Sequence, residues 1–138
     1  MFGTPHFGAD RSRWLSTVKA LEQLMPRPWS FFKTGGRPSK LVDALAHNSS
    51  DLSNVTEDFR FLARQFAIVS FYETEAWPGT HAPIVDRMSS TMFLDHEEQI
   101  PLEANHMDLC RFEGEADLKF RLVSRRIQQV AKGVGKVK

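Results

Sequence analysis

Hydrophobic residues recur at helical spacing over residues 12–25, where Trp14, Val18, Leu21 and Met25 fall on one face. Pro26 and Pro28 stop that pattern, because proline lacks the amide hydrogen a helix interior needs. Residues 27–37 read as a loop, and Pro38 opens a short helix that Asn48-Ser49-Ser50 breaks. A further helix is expected from about Asp51, with Leu52, Val55, Phe59 and Leu62 on one face. The period then changes. Phe66 to Tyr72 is a short apolar run rich in β-branched and aromatic residues, which predicts a buried strand. Pro83-Ile84-Val85-Asp86 predicts a weaker second strand, and Ile100-Pro101-Leu102 a brief extended piece. A helical turn is expected over residues 107–112 and a last helix from about Glu115, with Leu118, Leu122 and Ile127 partly on one face. Residues 1–130 read as one domain, and 131–138, with three lysines and two glycines, as a basic flexible tail.

A chain of 138 residues suits a single domain with a real core. Its 18 basic and 17 acidic residues give a net charge of +1, so no broad field draws in nucleic acid or an anionic membrane. The lone cysteine, Cys110, cannot close an internal disulfide, which points to a reducing compartment. The first residues hold no basic stretch followed by an apolar run, so no signal peptide is expected and the cytoplasm is the expected location. No apolar run approaches the roughly 18 residues of a membrane span.

Four patterns carry candidate chemistry. They are Phe2-Gly3-Thr4-Pro5-His6, then Ile68-Val69-Ser70-Phe71-Tyr72-Glu73-Thr74, then Ile84-Val85-Asp86 with Ser89-Ser90, and finally the run from Ile100 through Asn105-His106 to Phe112. In this order they resemble the serine esterase or lipase-like family of α/β-hydrolases, in the version found at the N-terminus of fungal NACHT or NB-ARC receptor-like proteins. The resemblance covers about residues 1–127 and is most specific in the fourth pattern. Phe7 stands where the family has an arginine, and Asn105 where it has an aspartate.

The resemblance implies the C-terminal portion of an α/β-hydrolase fold, with few strands, flanking helices and an exposed sheet edge prone to self-association or to pairing with another chain. It implies His106 as the catalytic histidine and Glu73 as the acid that orients it, with Glu75 and Asp86 in reserve. It implies an ester or lipid substrate for the complete enzyme. No G-x-S-x-G occurs in the 138 residues, so the expected function is a truncated hydrolase, inactive alone. The alternatives are a non-catalytic interaction module, or a hydrolase completed by another chain. No cofactor is expected. Asp95, His96, Glu97 and Glu98 lack any recognised ligand spacing, so no metal is expected either.

Overall fold

A computed structural model describes residues 1–7 and 50–134 of the chain. The helices expected over 12–25 and 38–47, and the loop between them, lie outside the described residues. The described elements run α1 (Ser50–Ala63), β1 (Ile68–Glu73), α2 (Arg87–Ser90), β2 (Glu97–Leu102) and α3 (Leu118–Val134). Strands β1 and β2 pair in parallel, from Ile68 opposite Glu97 to Glu73 opposite Leu102. Phe2 forms a parallel bridge to Phe71 on the other side of β1. Phe71 N donates to Met1 O at 2.8 Å, and Gly3 N to Phe71 O at 2.8 Å. Residues 1–3, β1 and β2 therefore lie side by side, in chain order and in one direction. The architecture is mixed α/β.

β1 forms where the sequence predicts it, because Ile68, Val69, Phe71 and Tyr72 favour extended backbone and most of its side chains are covered. Phe71 joins Leu102, Ala104, Leu109 and Val123 in one buried cluster, with Phe2, Val69, Ile100 and Phe112 packed on it. Phe2 stacks on Phe71 with ring centroids 4.7 Å apart. Trp77, Ile84 and Val85 make a second cluster, against which Met107 packs. Fully burying an aliphatic or aromatic side chain contributes about 1.5–3 kcal/mol, so these two clusters anchor the loops at the ends of the strands.

Three expectations change. The second strand is not at 83–86 but at Glu97–Leu102. Ile84 and Val85 are buried, yet their N–H groups point to the Glu73 side chain rather than to a neighbouring strand. β2 begins with three polar residues, each of which has a specific partner: Glu97 with Ser70, Glu98 with Arg126, and Gln99 with Arg87. On α1 the periodicity is as expected, but Val55 and Leu62 face outward, 66% and 54% exposed, while Thr56 and Ala63 are buried. The last helix continues to Val134, so the first residues of the expected tail are helical.

Candidate functional site

Glu73 is the last residue of β1, and His106 lies in the turn that follows β2. Because the two strands are parallel and adjacent, their carboxyl ends bring together residues 33 positions apart. His106 Nδ1 lies 3.0 Å from Glu73 Oε1. The same oxygen accepts from Val85 N at 2.8 Å, and Oε2 accepts from Ile84 N at 3.3 Å. The Glu73 side chain is fully buried, whereas that of His106 is 28% exposed. A buried carboxyl group is costly unless its oxygens find donors, and here the loop backbone and the imidazole supply them. A carboxylate acceptor at Nδ1 makes that nitrogen the donor, which leaves the lone pair of the neutral ring on Nε2.

Two local features set the imidazole in place. Asn105 Oδ1 accepts from Met107 N at 3.0 Å and Asp108 N at 3.2 Å, and its Nδ2 donates to Asp108 Oδ2 at 2.9 Å. These bonds close the turn that carries His106, as an Asx side chain does when it stands in for backbone. Gly3 lies against the same turn. Its φ is +48°, and a Cβ there would sit 3.4 Å from His106 Cε1 and Nδ1 and 2.7 Å from Leu109 Cδ1. The Phe2-Gly3-Thr4 pattern thus has a physical reason: the left-handed φ and the close approach of Leu109 both call for glycine beside the histidine turn.

The reserve acids are placed elsewhere. Asp86 caps α2 by accepting from Ser89 N at 2.8 Å. Glu75 is exposed, and its backbone N donates to Ala104 O at 3.2 Å. The acidic run 95–98 does not converge on one point: His96 Nε2 contacts Ala63 O at 3.0 Å, Glu97 turns inward and Glu98 pairs with Arg126. Among the described residues no group of three or more metal-ligating side chains could hold an ion. Cys110 is exposed.

Sequence reasoning missed Glu97. Ser70 Oγ donates to it at 2.5 Å, and Met92 N and Leu94 N donate at 3.0 and 3.3 Å. Burial opposes its charge, but these donors outweigh burial and hold its carboxyl below its ordinary range. The cage flanks Phe93, which adopts a left-handed φ of 51°. His6 is a second perturbed group. Its Nε2 is buried with no hydrogen-bond partner among the described residues, and burial pulls its pKa below the ordinary 6.5, an effect Glu97 partly opposes.

Both shifts have the same sign for stability. A depressed His6 takes up its proton more readily when unfolded, so its contribution is present above pH 6.5 and falls away on acidification below it. The Glu97 contribution is present above 4.5 and is lost as pH drops through its lowered folded value. Urea unfolding followed against pH is expected to show stability declining in stages that include these two. His6→Gln removes the upper stage and Glu97→Gln the lower. A profile that neither variant alters would contradict both assignments.

No family model, no curated protein and no solved structure matches the chain. No helix among the described residues is long and apolar enough to cross a membrane.

Proposed function

We propose that Glu73 and His106 are the acid and the base of a serine-hydrolase-type site that cleaves acyl esters, with the nucleophile supplied from outside these 138 residues, either by a longer gene product or by another chain. The observation that carries this is the Glu73 carboxyl group, buried and held by two backbone N–H groups while it accepts from His106 Nδ1. That arrangement fixes the tautomer a general base needs. Two further observations support it. Both residues lie at the carboxyl ends of parallel strands, Glu73 as the last residue of β1 and His106 in the turn after β2, where open α/β sheets place their ligands. The side-by-side order of residues 1–3, β1 and β2 also suits the C-terminal portion of an α/β-hydrolase fold.

In the completed site His106 Nε2 takes the proton of a serine hydroxyl as its oxygen bonds to the ester carbonyl carbon. Glu73 stabilises the imidazolium that results. His106 then gives that proton to the departing alkoxide, leaving an acyl-enzyme, and water repeats the sequence to release the acid. The chain by itself has no G-x-S-x-G to supply such a serine.

Purified alone, the chain is expected to hydrolyse p-nitrophenyl esters no faster than its His106→Ala variant. The gene product at its native length, alone or with the chain that supplies the serine, is expected to hydrolyse them and to lose that turnover in His106→Ala. Turnover that is indifferent to His106 would overturn the assignment. A second reading, a non-catalytic interaction module, is favoured by Val55, Phe61 and Leu62, exposed at 66%, 77% and 54%. A native-length product that shows no turnover, either alone or together with the chain it binds, would select it.

A further inference from the structure

We propose that the outer face of α3 is a docking surface for an anionic lipid bilayer. The net charge of +1 conceals a sharp segregation: residues 118–134 contain Lys119, Arg121, Arg125, Arg126 and Lys132 and no acidic residue. Two of these cations are engaged. Arg126 pairs with Glu98, and Lys119 Nζ donates to Asp108 O. Arg121, Arg125 and Lys132 are exposed, and among the described residues none forms a salt bridge. At 100° per residue these three fall within one narrow sector, opposite Val123, which is buried in the core.

Leu118 and Leu122 stand beside that sector, 79% and 42% exposed. A polyanion such as nucleic acid has no use for exposed leucines, whereas a bilayer has two layers to meet. Its phosphate and carboxylate headgroups match the guanidinium and ammonium groups, and the leucines reach the acyl boundary below them. The face runs along about 20 Å of helix from Leu118 to Lys132, and its one depression, lined by Leu118, Arg121, Leu122, Ser124, Arg125 and Gln128, is shallow and open, which suits an extended surface better than an enclosed ligand.

The test uses the full 138-residue chain and vesicles of phosphatidylcholine, with or without about one-third phosphatidylserine. Co-sedimentation is expected with the anionic vesicles only and to weaken as salt rises. The double variant R121Q/R125Q is expected to lower the affinity about thirtyfold, at roughly 1 kcal/mol per cation. L118S/L122S is also expected to weaken it, and circular dichroism checks that both variants keep their helices. Equal binding to neutral vesicles, or affinity unchanged in R121Q/R125Q, would overturn the proposal. Duplex DNA bound as tightly as anionic vesicles, with L118S/L122S indifferent for both, would overturn it in favour of a general polyanion surface.

Discussion

Glu73→Ala is expected to lower the free energy of unfolding by about 3–5 kcal/mol. The carboxyl group is the shared acceptor for Ile84 N, Val85 N and His106 Nδ1. Alanine leaves all three without it, in a place where Glu73 is 2% exposed and water has little access. An unsatisfied buried donor costs about 1–3 kcal/mol, and the removed side chain leaves a cavity besides. For a chain of this size the thermal midpoint should fall by on the order of 10 °C. Glu73→Gln keeps the volume and one acceptor oxygen, so its loss should be smaller, about 1–2 kcal/mol. Thermal unfolding followed by circular dichroism measures both. A Glu73→Ala variant within about 0.5 kcal/mol of the parent would mean that the carboxyl group is not bound as described.

Gly3→Ala is expected to cost about 2–5 kcal/mol, from two separate causes. An L residue at a φ of +48° pays about 1–2 kcal/mol in backbone strain. Its Cβ would also lie 2.7 Å from Leu109 Cδ1, so the leucine must move within a packed cluster, at about 1–3 kcal/mol. His106, 3.4 Å from the same Cβ, lies in ordinary contact range and shifts only if Leu109 drags its turn along. Urea unfolding gives the energy, and the His106 ring resonances report whether the turn has moved. Full stability in Gly3→Ala would contradict the close packing of residues 1–3 on the His106 turn.

The legible elements were those whose patterns arise locally. Ile68 to Tyr72 reads as a strand because β-branched and aromatic residues crowd into a short run covered on both sides. The spacing of Val55, Phe59 and Leu62 reads as a helix, but spacing alone does not say which stripe faces inward, and the burial of Thr56 was invisible in it. Ile84 and Val85 show the converse limit. Their apolar character marks burial correctly, but a buried pair can serve a strand or a loop, and here its N–H groups are claimed by a side chain. β2 was only partly legible, because Glu97, Glu98 and Gln99 look solvated until their distant partners are known.

The site divides in the same way. No periodicity links Glu73 to His106 across 33 positions. Their pairing was expected only from the order of four motifs, and parallel adjacency of β1 and β2 is what joins them. Asn105 and Gly3 had visible turn chemistry, but not its purpose, since the turn they shape carries a histidine whose partner, Glu73, ends another strand. Glu97 was hidden by its acidic neighbours, because adjacent carboxylates look alike in sequence while each turns to a different environment.

The state of the His106 ring in solution tests the central claim most directly. Nitrogen-15 NMR distinguishes a neutral imidazole with its proton on Nδ1 from one with its proton on Nε2. In the neutral ring the proton is expected on Nδ1, held toward Glu73, and Glu73→Gln is expected to shift the population toward the Nε2 tautomer. A wild-type ring with its proton on Nε2, or a tautomer that Glu73→Gln leaves unchanged, would contradict a histidine oriented by Glu73 to act as a base.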